Sequence, residues 1–311
     1  MPVLMESIFK QAVKDMEVII VDDCSTDNTV ELVSKYPTRV IVMEQNGGPS
    51  ISRNRGVSEA KGDIIFFLDS DTELLDGSIQ EVENYFKEKP DEECVIGICS
   101  TEALNPGFVP RYMAMFEYIH LIGQQYKKVS VFAPRCGAIK KELFQRVGGY
   151  DELYKGADVE DFELARRINK VSSIILNPKM MVKHEFADFE RAIKIYFSRT
   201  VMWLYLFFRE KQLDNAGPTS PSNGIAAMCA FFSFFSLLIS PAFAFAKPLF
   251  WVLLAVYVFS NLHWWNFMRK EAGLLFALKS LGLNYFLGVE IMLSAAYGLI
   301  TYPFSKKKTQ G

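Results

Sequence analysis

The last third of the chain contains apolar segments that are long enough to cross a lipid bilayer. Residues 225–246 and 249–267 each supply about the 20 predominantly apolar residues that a transmembrane helix needs. A third candidate span, residues 284–304, follows an amphipathic stretch at residues 271–283. The sequence therefore predicts a helical membrane region with two to three spans over residues 224–311.

Positive charges near these spans predict their orientation. Arg269, Lys270 and Lys279 follow the first two spans and mark the cytoplasmic side, because loops on that side carry an excess of Lys and Arg. Three spans would place the lysines at 306–308 on the opposite side, so either this tendency does not hold here or the last segment does not cross completely. Residues 1–14 show no pattern of a secretory signal peptide, so the soluble part is expected in the cytoplasm.

Short apolar runs alternate with helical segments in the first part of the chain. Residues 17–21 (EVIIV), 39–43 and 63–68 (DIIFFL) are typical of buried strands. The helical segments between and after them are residues 29–36, 50–60 and 77–89. This alternation predicts an α/β fold with a doubly wound, mostly parallel sheet.

Charge and cysteine usage exclude some classes of partner and site. The net charge is -2 and the sequence pI is about 6.0, so no field would attract a nucleic-acid backbone, and nucleic acid is not an expected partner. The five cysteines form no CxxC pair, and no His lies at metal-site spacing from them. We interpret them as small buried residues in a reducing compartment.

An amphipathic segment separates the α/β part from the apolar part. Residues 188–211 place aromatic and aliphatic side chains on one side of a helix and charges on the other, which predicts a helix in the membrane interface; the alternative is a helix that packs on a core. A linker rich in Pro, Gly, Ser and Asn follows at residues 213–224. The predicted organisation is an α/β domain over 1–187, the interface helix and linker over 188–223, and the membrane region.

The triplet Asp69-Ser70-Asp71 is a candidate ligand site because it follows the apolar run at 63–68 directly. In open parallel sheets, ligands bind outside the carboxyl ends of the strands. Two carboxylates one residue apart can hold a hard cation such as Mg²⁺ or Mn²⁺, which in turn neutralises a diphosphate, and Glu73 could add a ligand. The alternative is a purely structural acidic turn.

Several ordered motifs resemble those of a known enzyme family. These motifs are EVIIVDDCSTDNT (17–29), NGGPSISRNRG (46–56), GDIIFFLDSD (62–71), CGAIKKELFQRVGGYDE (136–152) and VEDFELARRI (159–168). They resemble the family 2 glycosyltransferases, which have the nucleotide-diphosphosugar transferase (GT-A, Rossmann-like) fold. The resemblance covers residues 5–185 and implies a metal-dependent, inverting transferase with a UDP- or GDP-linked sugar donor.

The resemblance also implies roles for individual residues on the donor side. Asp22 and Asp23 would contact the base or ribose, and Arg53 would reach toward the nucleotide; the alternatives are a helix-capping turn and a solvated charge. Asp69, with Ser70, would contact the donor, and Asp69 and Asp71 would form the metal and ribose pair.

On the acceptor side, the resemblance implies that Glu160 and Asp161 are the acidic pair that supplies the catalytic base. Asp161 would deprotonate an acceptor hydroxyl, although two acids are also ordinary in the first turn of a helix. His184 is a further metal-ligand candidate, with a structural histidine as the alternative.

The membrane region suggests a lipid-linked acceptor, and a saccharide acceptor stays open. Processive polysaccharide synthases of the family usually carry spans before the catalytic domain and a Gln-x-x-Arg-Trp element, which residues 199–203 (RTVMW) match only faintly. Transfer of a single sugar is therefore preferred over a processive polysaccharide synthase.

The chain departs from the family at its start. Family members begin with a strand before the helix that here starts near Pro2, and that strand would lie centrally in the sheet, between the strands at 17–21 and 63–68. Its absence leaves a second interpretation, a truncated and catalytically impaired, membrane-tethered binding or scaffold protein.

Overall fold

The computed structural model describes residues 1–11, 14–123, 125–154, 156, 159–211 and 221–305. The chain divides into two compact units. The first unit comprises Met1–Pro106 and Leu121–Phe186, and the second comprises Gly107–His120 and the chain from Ala187 onward. The second unit thus includes residues 107–120, which the sequence places in the first domain. The predicted Lys306–Lys308 charges and most of the predicted linker lie outside the described residues.

The first unit alternates strands and helices, as the sequence predicts. Its elements in chain order are α1 (Pro2–Lys10), β1 (Ile19–Asp22), α2 (Thr29–Val33), β2 (Arg39–Val42), α3 (Pro49–Glu59), β3 (Ile64–Phe67), β4 (Thr72–Leu74), α4 (Ser78–Glu88), β5 (Cys94–Cys99), a 3₁₀ turn (Pro134–Cys136), β6 (Gly137–Lys140), α6 (Lys141–Arg146), α7 (Glu160–Val171) and β7 (Ile175–His184). Helix α5 (Phe108–Ile122) falls between β5 and the 3₁₀ turn, and all but its last two residues belong to the second unit.

Seven strands form two sheets in the described part of the first unit. Strands β1 and β2 form a parallel pair, and the other five pair in the order β3-β6-β5-β7-β4. Strands β3, β5 and β7 run in one direction, while β6 and β4 run against them. The predicted α/β class, with most strands running in one direction, is confirmed. Strand β5 is buried along its whole length, as its apolar composition requires.

No backbone pairing joins β1 to β3 in the described residues, and this is where the sequence analysis places the strand of the other family members. Side-chain contacts connect the two sheets instead. The carboxylate of Glu17 accepts hydrogen bonds from the backbone N–H of Lys61 (2.5 Å) and of Gly62 (3.1 Å), just before β3. Helix α3 covers β1 so closely that a Cβ on Gly56 would lie 3.3 Å from Cγ2 of Val21.

The second unit is helical and contains three helices that are long and apolar enough to cross a membrane, judged over the described residues. Its helices are α5, α8 (Phe189–Glu210), α9 (Pro221–Ile239), α10 (Ala246–Ala272) and α11 (Leu274–Ser305). Large apolar side chains on α9 to α11 are exposed on their outer faces, including Trp251, Phe259 and Ile300. Such a surface fits a hydrocarbon environment better than water.

Two predicted helix boundaries in this unit are wrong, and both have local causes. The predicted span 225–246 is not one helix, because α9 ends at Ile239 just before Pro241, which has no N–H and disfavours helical backbone in the preceding residue. The predicted amphipathic stretch 271–283 is not separate from the third span, because one continuous helix, α11, runs from Leu274 to Ser305. The break between helices falls at Gly273, whose φ of 88° ends α10.

Helix α8 has Asp188 as its N-cap, which accepts a hydrogen bond from the N–H of Arg191 (2.9 Å). One face of α8 packs on α11, where Tyr205 shares a hydrogen bond with Thr301 (2.7 Å) and Leu204 lies against Gly298. Its position in the membrane interface stays a prediction.

Candidate active site

Asp69, Ser70 and Asp71 form the turn between β3 and β4. The turn is held from both sides: the Thr72 hydroxyl donates to the backbone carbonyl of Asp69 (2.7 Å), and the N–H of Glu185 donates to that of Asp71 (2.9 Å). Ser70 is exposed at the tip of the turn. The predicted position of the triplet, after a strand of the main sheet, is therefore observed.

The guanidinium of Arg53 joins this turn to a distant acidic residue. Its Nη2 donates to Oδ1 of Asp69 (2.9 Å), and its Nη1 donates to Oε1 of Glu160 (3.1 Å). The Arg53 side chain is 16% exposed and lies on helix α3, so three separate elements meet at this one cation. The sequence predicts Arg53 as a nucleotide contact and does not predict this double ion pair.

Tyr150 lies beside the same cation. Its ring centroid is 5.3 Å from Cζ of Arg53, and the ring packs against Phe67 and Phe144. Tyr150 is 2% exposed, and its hydroxyl has no hydrogen-bond partner among the described residues. Burial, together with the Asp161, Asp69 and Glu160 carboxylates, raises the pKa of this phenol well above its ordinary value, against the opposing charge of Arg53.

Asn54 fixes the backbone of Tyr150. Its side chain donates to the carbonyl of Tyr150 (2.9 Å) and to Glu152 (3.0 Å), and it accepts from the N–H of Tyr150 (2.8 Å). Gly149 precedes Tyr150 with a φ of 68°, and a Cβ there would lie 2.7 Å from the side-chain oxygen Oδ1 of Asn54. Sequence reasoning assigned no role to Asn54 or Tyr150, although both lie inside the motifs that carry the family resemblance.

Glu160 and Asp161 are the first two residues of α7. The N-cap residue Val159 has no polar side chain, so acids in the first turn supply the negative charge that a helix N-terminus favours. Glu160 is 4% exposed, and its Oε2 has no hydrogen-bond partner in the described part of the chain. Asp161 is partly exposed and accepts from the N–H of Phe162 (2.9 Å). The two acids therefore differ in their access to solvent.

The structure brings together some of the predicted metal ligands. Nε2 of His184 lies 3.5 Å from Oδ1 of Asp71, because His184 ends β7 opposite the start of β4. Partial burial and then the neighbouring Asp69 carboxylate raise the pKa of Asp71. Glu73 lies opposite Lys183 in the antiparallel pairing of β4 and β7. The described residues contain no group of three or more His, Cys, Asp or Glu side chains that could hold a metal ion.

Asp22 is the last residue of β1 and Asp23 follows it, and the two carboxylates have different hydrogen-bond partners. Asp22 is buried and accepts from the N–H of Ser25 (3.2 Å). Asp23 uses both carboxylate oxygens to accept from the N–H groups of Gly47 and Gly48, each at 2.8 Å. These bonds brace the turn that starts α3, the helix that carries Arg53. This bracing role of Asp23 is absent from the sequence predictions.

Comparison with known proteins gives a family match. Residues 2–148 match the family model described as "Glycosyl transferase family 2". An uncharacterized glycosyltransferase of Haemophilus influenzae is 32% identical over 170 residues, which cover 52% of this chain and 56% of that protein. The glycosyltransferase GlyG of Streptococcus pneumoniae is 37% identical over 159 residues, which cover 46% of this chain and 52% of GlyG. The chain thus spans about half the length of these relatives.

A solved structure extends the likeness to the whole fold. The mannosyltransferase PcManGT from Pyrobaculum calidifontis, in complex with GDP-Man and Mn²⁺, aligns with a TM-score of 0.54. The alignment covers 98% of this chain and 84% of PcManGT, at 14% sequence identity. This likeness concerns the fold alone.

Proposed function

We propose that this chain, whose residues 2–148 match the glycosyl transferase family 2 model, transfers a single sugar from a nucleotide-diphosphate sugar to an acceptor hydroxyl. One observation carries the proposal. Arg53 joins Asp69, which adjoins Asp71, to Glu160, which adjoins Asp161, so the donor-side and acceptor-side acids lie around a single cation. A displacement reaction needs both groups at one place.

On the donor side, Asp69 and Asp71 would hold a divalent metal together with the donor's diphosphate. Their carboxylates are the hard oxygen ligands that Mg²⁺ and Mn²⁺ take, and Mg²⁺ sites commonly use only one or two carboxylates with substrate phosphates and water. When bound, the cation would neutralise charge on the leaving diphosphate. The complex of PcManGT with GDP-Man and Mn²⁺ supports this reading for the fold.

On the acceptor side, Asp161 is the better candidate for the base. It is partly exposed, whereas Glu160 is buried and already paired with Arg53. Asp161 would accept the proton of the acceptor hydroxyl as the oxygen attacks the anomeric carbon, and the nucleoside diphosphate would leave from the opposite face. A single displacement of this kind inverts the configuration at that carbon.

Asp22 and Ser70 are proposed to contact the nucleotide, and Arg53 is proposed to lie beside it, held by its ion pair with Asp69. Among the described residues, one oxygen of Asp22 accepts a hydrogen bond, from Ser25, whereas both oxygens of Asp23 accept one. Asp22 is therefore better placed than Asp23 to accept from the base or ribose. Asp23 would act indirectly, through the turn that it braces.

The acceptor is proposed to be lipid-linked or a saccharide at the cytoplasmic face of a membrane. Three helices of the described chain have the length and apolar composition of membrane spans, and Arg269 and Lys270 end the second of them. These charges favour a cytoplasmic position for that end.

The experiment is a donor panel with the full chain in lipid nanodiscs. UDP- and GDP-linked sugars are offered with and without Mn²⁺, and release of the nucleoside diphosphate is measured. We expect release from at least one donor, dependent on the metal, and its loss in Asp161→Asn. Absence of release from every donor would refute the transferase proposal and favour a membrane-tethered binding or scaffold protein.

A further inference from the structure

The Arg53 guanidinium occupies an unusual position among the charged groups of the first unit. It donates to two carboxylates, on Asp69 and Glu160, that come from elements far apart in the sequence. Its side chain is mostly buried, so these bonds are little weakened by solvent. The cation therefore sets the separation between the end of β3 and the start of α7.

The surroundings leave Arg53 little freedom to move. The Tyr150 ring lies against the guanidinium, and Asn54 holds both backbone polar groups of Tyr150. Phe67 and Phe144 pack on the same ring, with centroid distances of 6.0 and 5.8 Å. A guanidinium held by a fixed ring is a better spacer than a mobile surface charge.

Glu160 depends on this contact. It is 4% exposed, one of its oxygens accepts from Arg53, and the other has no partner among the described residues. Without Arg53, the nearly buried Glu160 carboxylate would lose its ion pair with the guanidinium. An unpaired buried charge strongly destabilises the folded state.

We propose that Arg53 is a positioning residue that couples the donor-side Asp69 to the acceptor-side Glu160, so that the two acidic pairs keep one fixed separation. The inference rests on the proposed function, because it assigns the two pairs to the two substrates. It differs from a nucleotide contact, since Arg53 would act through the carboxylates. Lysine could not replace it, because an ammonium is a point charge and lacks the planar fork.

The kinetic test is a double-mutant cycle of Arg53→Met and Glu160→Gln in the full chain, with a donor that the wild type turns over. Misplacement of reacting groups by 1 Å can cost about 10²-fold, so each single variant is expected to lose about that factor in kcat. The kcat of the double variant is expected to be less than about tenfold below that of the slower single variant. If the two residues acted independently, the two losses in kcat would multiply to about 10⁴-fold. The donor KM should change less than about threefold, and Arg53→Lys should recover less than about a tenth of the activity.

Two outcomes of this cycle would overturn the proposal. One is multiplication of the two losses. The other is a raised donor KM with an unchanged kcat in Arg53→Met, which would assign Arg53 to the nucleotide itself.

A second measurement does not depend on activity. The thermal unfolding midpoint of the first unit is followed in detergent, and Arg53→Met is expected to lower it by about 5 °C or more. Adding Glu160→Gln should recover at least half of that loss, since no buried charge is then left unpaired. Arg55→Met is the matched control, because Arg55 lies on the same helix with an exposed ion pair to Glu59 (2.8 Å), and it should shift the midpoint by less than about 2 °C.

These readouts separate the two hypotheses. If the wild type turns over no donor, the proposed function fails, and the unfolding cycle still decides whether Arg53 and Glu160 are coupled. If Arg53→Met does not fold, the double variant is compared with Glu160→Gln alone. A midpoint within about 2 °C supports the coupling, and a larger loss contradicts it.

Discussion

Asn54 and Tyr150 are joined by two hydrogen bonds in which the Asn54 amide replaces a backbone partner: it accepts from the N–H of Tyr150 and donates to its carbonyl. The pair connects helix α3 to the loop before α7. Because Arg53 adjoins Asn54 in sequence and contacts the Tyr150 ring in space, the same loop supports the cation between the two acidic pairs. The cation that contacts both acidic pairs is thus supported by residues outside those pairs.

Gly149→Ala tests how strictly this loop is built. The substitution would place a Cβ 2.7 Å from the side-chain oxygen Oδ1 of Asn54 at a φ of 68°, so it adds a steric clash to backbone strain. We expect a loss of about 2–4 kcal/mol in the free energy of unfolding, measured by denaturant titration in detergent.

Gly148→Ala is the matched control. Gly148 has a φ of 85°, but a Cβ there would lie in ordinary van der Waals contact with Arg167, at 3.9 Å. The substitution therefore adds backbone strain without a steric clash. Its loss should be about 1–2 kcal/mol. Equal losses for the two variants would show that the contact with Asn54 does not constrain the loop.

Asp71→Ala tests the donor side of the site. If Asp71 helps to hold the metal at the diphosphate, turnover should fall by at least about 10²-fold, because metal stabilisation is worth several kcal/mol and each 1.36 kcal/mol is tenfold. The measurement is nucleoside diphosphate release as a function of Mn²⁺ concentration. Asp76→Ala is the control, since Asp76 is exposed and forms a surface ion pair with Lys10 (3.0 Å). Near-normal turnover in Asp71→Ala would remove Asp71 from the site.

The sequence predicted the parts of the site that follow from local patterns. The acidic turn after β3 and the acids at the start of α7 could be located, because an apolar run ending in Asp and a first helical turn rich in acids are contiguous signals. The double ion pair of Arg53 could not be predicted, because residues 53, 69 and 160 are far apart in the sequence and meet only in the folded chain. The same holds for Asp23, whose backbone partners lie 24 and 25 residues later.

The helix boundaries in the apolar part illustrate a different limit. Counting apolar residues located the spans but extended the first across Pro241, a residue that was visible in the sequence and ends α9 for a local steric reason. The place of residues 107–120 among the apolar helices was also not predictable from the sequence. There the Tyr112 hydroxyl donates to Asn284 on α11 (2.8 Å), a pairing that no local pattern encodes.

Cysteine labelling tests the burial of the first unit. Burial raises the pKa of the Cys136 thiol to about 12 and raises that of Cys94 well above its ordinary value. The reactive form is the thiolate, which forms only as the pH rises through the raised pKa, so both thiols should stay protonated and unlabelled by iodoacetamide at pH 8. Cys24 is partly exposed and should react. Mass spectrometry after brief labelling would measure this, and rapid native labelling of Cys94 or Cys136 would contradict the buried β5–β6 core.

Tryptophan quenching tests which faces of the apolar helices meet lipid. Trp251 on α10 is 66% exposed, whereas Trp264 on the same helix is 3% exposed and donates to Asn261 (2.6 Å). In bilayers with brominated acyl chains, quenching requires contact between the indole and the chains, so Trp251 should be quenched and Trp264 protected. We therefore expect Trp251→Phe to remove a large part of the quenchable fluorescence and Trp264→Phe to remove little of it. The reverse result would mean that the exposed face of α10 is not the lipid-facing one.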